Sequence, residues 1–309
     1  MRFNLSSSLA LWLGLLQSAA ALSIETVPQI ETRATKNKVQ TWPIPEGVPT
    51  SSAFSIKIRS PGGKWRDVQA YQPEVVESNT TTGSTSRRKT SMIRFDFDGT
   101  VEVSATYNGT VDSARLRPDS LGLEATVTAS KTVDFTLTEP QDVVLQVNDD
   151  IFHGALHVFT SRIEKKPPRK GDANVIYYGP GFHQETKPLN ISSGTTVYLA
   201  GGAVLSVPAI NFVNATGASL RGRGVLRATS SIAISVIRSE DILVEGLTSM
   251  NILPRSYQST NVTFRDLRIF SAVTWGDGID IFCSSNVLID GVFLRTSDDS
   301  VALYNHRDD

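Results

Sequence analysis

The 309 residues contain one cysteine, Cys283. A lone cysteine excludes an intrachain disulfide, and with it a disulfide scaffold and a cysteine-based zinc site. It follows Phe282 in an apolar run and is expected to fill the core as a small hydrophobe. An excess of either charge is also missing: 30 Lys and Arg stand against 31 Asp and Glu, for a net charge of −1. Nothing therefore points to nucleic acid as a partner. After residue 21 no stretch is apolar enough to cross a membrane. Between residues 195 and 291 there is no clear helix-period segment, which argues against a βαβ arrangement. Without disulfides, the stability of this chain must come from elsewhere, and a long stacked sheet can supply it.

What is present begins at the N-terminus. Residues 1–21 combine Arg2, an apolar run from Leu9 to Leu16 and a small-residue site at Ala19, Ala20 and Ala21. That is the make-up of a secretory signal peptide, so the expected location is extracellular. Five Asn-x-Ser/Thr sequons follow, at Asn79, Asn108, Asn190, Asn214 and Asn261. On a secretory route they are candidate glycan sites, which suits a eukaryotic secreted glycoprotein.

Residues 22–162 read as one domain, β throughout from about Lys36 to Ser161. Segments 54–59, 92–97, 101–107, 132–137, 143–147 and 156–159 alternate apolar and polar residues, and Gly-, Pro-, Asn- and Asp-rich turns separate them. Short alternating strands at this spacing predict an antiparallel β-sandwich. Segment 78–90 is polar and of low complexity, so it is expected as a solvated mobile loop, its basic trio Arg87, Arg88 and Lys89 included. His153, His157 and His183 lie in or beside β segments and are expected to be packing or surface residues. Residues 163–171 are charged and carry Pro167 and Pro168; they pair poorly in a sheet and read as a linker.

From 172 to 309 short β runs recur. Taking Val197, Leu220, Ile242, Val262 and Val287 as equivalent, the steps are 23, 22, 20 and 25 residues. A drifting period of this size marks a solenoid. Leucine-rich repeats share the period, but their Leu-x-x-Leu-x-Leu signature is missing. The expectation is an all-β chain in which the sandwich is followed by an incomplete right-handed parallel β-helix, monomeric, with a groove suited to a polymer.

Two motifs carry chemistry: Trp275-Gly276-Asp277-Gly278, and Ser297-Asp298-Asp299. Asp277 precedes Asp298 by 21 residues, about one winding, and an apolar strand-turn-strand segment lies between them. Stacked strands are about 4.8 Å apart, so three carboxyl groups would crowd one patch. Crowding raises the pKa of one member and sets an acid beside a base, as glycoside hydrolysis requires. Consecutive strand residues point to opposite faces, so Asp298 and Asp299 can share a cleft only where the backbone bulges or turns. Trp275 is a candidate for stacking on a sugar ring. His306 and Arg307 are candidates for binding substrate or a uronate carboxylate. Asp280 reads as a turn or winding-edge residue. No metal site or cofactor is expected.

Repeats and motifs together resemble the pectin-lyase-like β-helices, and within them glycoside hydrolase family 28, the polygalacturonases and rhamnogalacturonases. The resemblance covers roughly 175–309. The family's Asn-Thr-Asp is matched by Gly276-Asp277 at its end, its Gly/Gln-Asp-Asp by Ser297-Asp298-Asp299, and its following run by Ser300-Val301-Ala302-Leu303. Trp275 and Gly276 replace Asn-Thr, and Ser297 replaces Gly or Gln. The family's Gly-His-Gly and Arg-x-Lys motifs would fall beyond residue 309, which suggests a shortened chain that is inactive if those residues are needed. The resemblance implies Asp298 as general acid, with Asp277 and Asp299 holding and deprotonating the attacking water, and inversion at the anomeric carbon. A β-sandwich ahead of the helix also resembles family 49, the dextranases and isopullulanases, which implies neutral glucans as the alternative substrate. A non-catalytic carbohydrate-binding β-helix is the rival of another class. A pectate lyase would need calcium-binding carboxylates and an arginine base, and no such set stands out.

Overall fold

The computed structural model describes residues 37–305. The signal-like segment 1–21, His306 and Arg307 lie outside the described residues. Among the described residues the chain is all β, with a single 3-10 turn at Asp119–Leu121.

Ten strands between Lys38 and Ser161 form one continuous sheet. Its pairings are antiparallel except one: Asp150–Ser161 runs parallel to Ser91–Asp98. The expected antiparallel sandwich is thus met only in part. Alternation does the sorting. In Val101–Tyr107, Val101, Val103 and Ala105 are buried while Glu102 and Ser104 between them are not. Asn148 and Asp149, at φ 54° and 56°, join Val143–Val147 to Asp150–Ser161; two left-handed residues make the turn whose twist matches a hairpin.

The expectation of a loop over 78–90 is corrected. Glu74–Ser78 and Thr85–Lys89 form an antiparallel hairpin closed by a turn at 79–84. Its polar composition hid the strands, because opposite charges support them: Arg87 pairs with Glu74 at 3.7 Å and Arg88 with Glu77 at 3.5 Å. Val75, almost fully buried, pins the hairpin to the body.

From Val175 onward the chain winds into a β-solenoid. Six parallel strands stack on one face, in sequence order from Val175–Tyr178 to Ser285–Asp290. Val197 pairs with Leu220, Ile242 with Val262 and Val262 with Val287, as the spacing suggests. Leu220 pairs instead with Val244, a step of 24 residues rather than 22. Ile242 and Val244 are both buried, and a two-residue shift leaves every side chain on the same face, so the sequence pattern cannot distinguish them. A second set of parallel strands covers the other faces; Val225–Ile237 and Thr248–Tyr257 are long enough to serve two of them.

Left-handed residues recur at the corners. Arg238, Gln258 and Cys283 turn at φ 45°, 46° and 43°. Cys283 is therefore exposed at a corner and does not fill the core as its apolar neighbours suggested. At the next corner Asp241, Asn261 and Asn286 stand at φ 55°, 54° and 52°. Asn261 Nδ2 donates to Asp241 Oδ1 at 3.1 Å, and Asn286 Nδ2 donates to Asn261 Oδ1 at 3.2 Å. Asparagine suits this ladder because it tolerates the left-handed region and bonds sideways to its copy. Asn286→Ala is expected to destabilise the protein by about 1–2 kcal/mol, one hydrogen bond plus left-handed strain. Urea unfolding should show a lower midpoint, with Asn286→Gly falling less.

Solenoid and sheet meet on two strands that face both ways. Ile93, Phe95, Leu156 and Val158 point into the sheet's own core; Met92, Phe159 and His157 point at the solenoid, where Val204, Val225, Met250 and Phe270 receive them. Charges cross the same seam. Arg223 Nε meets Asp96 at 2.8 Å, and Arg268 grips Asp142 with two nitrogens at 2.8 and 3.1 Å. Arg94, wholly buried, reaches Thr248 Oγ1 and the Gly246 carbonyl. Burial, then the nearby Arg268 and Arg223, push its pKa down to about 9.

His157 is neutral at this seam. Nδ1 donates to the Ser91 carbonyl at 2.9 Å, so Nε2 is the acceptor for Arg295 at 3.0 Å. Burial first, and Arg295 second, push its pKa down to about 3. The unfolded chain takes a proton below about pH 6.5, and the folded chain refuses it until about pH 3. Stability is therefore full above about 6.5 and falls through that window as pH drops, at up to about 1.4 kcal/mol per pH unit. Denaturation midpoints measured from pH 7 to 4 should fall more steeply for the wild type than for His157→Gln.

Candidate active site

The two aspartate motifs lie on successive windings. Ile279–Phe282 pairs in parallel with Val301–Tyr304, Ile279 opposite Val301. Extending that register by two residues sets Asp277 beside Asp299, and the backbone agrees: Gly278 N donates to the Asp299 carbonyl at 2.7 Å. Asp298 and Asp299 fall in a bend just before the strand, and Asp299 N donates to Asp298 Oδ1 at 3.0 Å. The backbone thus turns where a shared cleft requires it.

Close approach of the windings explains the glycines. A side chain at Gly276 would strike Ser297 Oγ, and one at Gly278 would strike the Ser300 carbonyl. Neither glycine has a left-handed φ, so space is the constraint. Ser297 locks the joint: its N–H reaches Ser271 Oγ at 2.9 Å and its Oγ donates to the Val273 carbonyl at 2.6 Å. The serine that departs from the family pattern therefore has a structural task here. Trp275, before Gly276, is held at φ 55° and is 74% exposed. That is an unfavourable backbone for a bulky residue, of a kind that clusters at functional sites.

Asp280, read from sequence as an edge residue, is instead buried within the site. It ion-pairs with Arg255 of the preceding winding at 3.0 Å and lies within hydrogen-bond reach of Asp277. Burial first, and the Asp277 charge second, push its pKa up to about 6 against the pull of Arg255. Its buried Oδ1 meets no donor among the described residues. That leaves it free of any hydrogen bond that would hold the charged form. The Asp277 carboxylate beside it is one reason Asp280 keeps its proton to a higher pH than an ordinary carboxyl. The sequence marks only the face: Asp280 and Phe282 alternate with Ile279 and Ile281, whose side chains join the core.

Beside the carboxylates stands a column of rings. Tyr257, Phe282 and Tyr304 stack at 4.4 and 4.5 Å, nearly parallel, one per winding. Desolvation first, then Asp277, Asp280, Asp299 and Asp298, hold the Tyr304 phenol above its ordinary pKa. All four carboxylates therefore bear on one neighbourhood. The stacked rings cover one another's faces, so the column stiffens the wall rather than offering a platform for sugars.

A cleft of about 410 Å³ opens over Trp275, Ser297 and Asp298, and its far wall is the hairpin, through Val76, Thr85 and Arg87. The five sequon asparagines are exposed, though Asn261 already spends its amide in the corner ladder. His153 is exposed, and His183 Nε2 bonds the Gly179 carbonyl at 2.7 Å.

Comparison with solved structures finds a similar fold over most of the chain. Dex49A from Penicillium minioluteum superposes with a TM-score of 0.50 over 87% of this chain and 77% of that one, at 11% identity. The two share a fold. The family 28 exopolygalacturonase of Yersinia enterocolitica matches 65% of this chain and 62% of its own at 12% identity and a TM-score of 0.36. A putative glycosyl hydrolase from Parabacteroides merdae matches 41% and 84% at 13% identity, with a TM-score of 0.29. No family model matches the sequence, and no curated protein does.

Proposed function

We propose that the chain is a secreted glycoside hydrolase that cleaves a polysaccharide with inversion at the anomeric carbon. The observation that carries this reading is the register that sets Asp277 beside Asp299 on successive windings, with Asp280 against Asp277 and Asp298 in the wall of a cleft rimmed by Trp275. Asp298, exposed in the cleft wall, gives its proton to the departing glycosidic oxygen. Asp277 removes a proton from water as that oxygen attacks the anomeric carbon; Asp299 positions the water. The bond to the leaving sugar breaks as the bond to water forms, which is the single-displacement scheme for two carboxyls with a water between them. Asp280 is a positioning residue that acts through Asp277.

Two substrate classes follow from separate supports. The family 28 motif resemblance favours pectic polymers, and the fold shared with Dex49A favours neutral glucans. Release of reducing ends from polygalacturonate and from dextran, with the anomeric configuration of the first product followed by proton NMR, tests the reading. Hydrolysis with inverted product is expected. Binding without turnover on either polymer would favour a carbohydrate-binding solenoid, and an unsaturated product absorbing in the ultraviolet would replace hydrolysis with elimination.

A further inference from the structure

The cleft at Asp298 does not end there. A second cavity of about 460 Å³ shares Arg87 with it and runs back along the solenoid past Asn251 to Arg227. Together they span four windings, since Arg227 pairs with Met250, Met250 with Phe270 and Phe270 with Arg295. Three steps of about 4.8 Å give a groove roughly 14 Å long. Asn251 laces its floor, donating to the Ala228 carbonyl at 3.2 Å and accepting from Ala272 N at 2.9 Å.

The hairpin forms the opposite wall, and strand alternation sorts its charges. Glu74, Val76, Thr85, Arg87 and Lys89 share the face that lines the two cavities. Val75 and Arg88 take the other face: Val75 is in the core and Arg88 lies 5.5 Å over the Phe152 ring. At the end remote from Asp298 the walls thus present Lys89 and Arg227, with Arg87 between the two cavities, against the single carboxylate of Glu74. Glu74 is engaged by Arg87; among the described residues neither Lys89 nor Arg227 meets a carboxylate.

We propose that this basic end is a binding site for anionic sugar units, and that the hairpin 74–89 selects the polymer that reaches Asp298. The proposal rests on the hydrolase reading and names its substrate as a polysaccharide bearing carboxylates or sulfates. Arginine forks suit planar carboxylates, and Lys89 and Arg227, set back along the groove from the acids, recruit a negative polymer without neutralising the groups that cut it. A neutral glucan would leave Lys89 and Arg227 without partners.

Isothermal titration of the full chain carrying Asp298→Asn, with trigalacturonate and with isomaltotriose, tests the site apart from turnover. Trigalacturonate should bind at least about tenfold tighter than isomaltotriose, and Lys89→Ala and Arg227→Ala should each weaken it about tenfold while leaving isomaltotriose unchanged. Affinity for trigalacturonate should also fall with added salt without any substitution at the basic end, which keeps the test independent of variant folding. Equal affinities, or salt-insensitive binding, overturn the proposal. Hydrolysis of dextran with no preference for the anion sinks this inference alone; selective binding of the anion with no hydrolysis of any polymer sinks the hydrolase reading and leaves this site standing.

Discussion

Asp277→Asn is expected to cut the rate of glycosidic hydrolysis by about 10²- to 10⁴-fold, the usual contribution of a positioned acid or base. The same loss is expected of Asp298→Asn, because each removes one half of a concerted proton transfer. Fold should be unaffected, since Asp298 is exposed and Asp277 only half-buried, and far-ultraviolet circular dichroism should overlay the wild type. Asp280→Asn separates positioning from chemistry. Its amide can still donate to Asp277, so most of kcat should persist, but the titration near pH 6 is that of Asp280 and should leave the pH–rate profile. Full activity in Asp277→Asn would remove the assignment.

Arg268→Met is expected to destabilise the protein by about 3–5 kcal/mol, the range for removing one partner of a buried ion pair. Arg268 is 4% exposed and bonds Asp142 twice, the Thr160 carbonyl at 3.1 Å and the Asp266 carbonyl at 2.7 Å. Without it Asp142 keeps a charge at the seam and two carbonyls lose their donor. Thermal denaturation should shift down by roughly 10 °C. Adding Asp142→Leu should recover much of that loss, because an apolar pair escapes the desolvation cost. If the double variant is no better than the single, the loss comes from the carbonyls rather than from the stranded carboxylate.

The repeat period was legible because inward-facing apolar residues must recur once per winding, as Val197, Leu220, Val262 and Val287 do. The slip at Val244 was not, because a pattern of period two is blind to shifts of two. That the two aspartate motifs lie on successive windings was legible as the spacing between Asp277 and the Asp298-Asp299 pair. Asp280 was passed over because sequence shows neither its burial nor Arg255 opposite it. The hairpin was lost for a related reason: its strands are held by charge pairs and by Val75 alone, so their composition looks like that of a solvated loop. Cys283 was misplaced because an apolar run can end in a corner, and the left-handed φ that makes the corner has no signature in a cysteine.

The corner ladders have an evolutionary consequence. Each rung of Asp241, Asn261 and Asn286 bonds only to its immediate copy, so a duplicated winding could be spliced into most of the coil and find its partners ready. One junction cannot accept such growth. A copy inserted between Asp277 and Asp298 would carry the two acids about 4.8 Å further apart and leave Gly278 without the Asp299 carbonyl. Lineages derived from this scaffold are therefore free to lengthen at nearly every storey except the one between its two aspartate motifs.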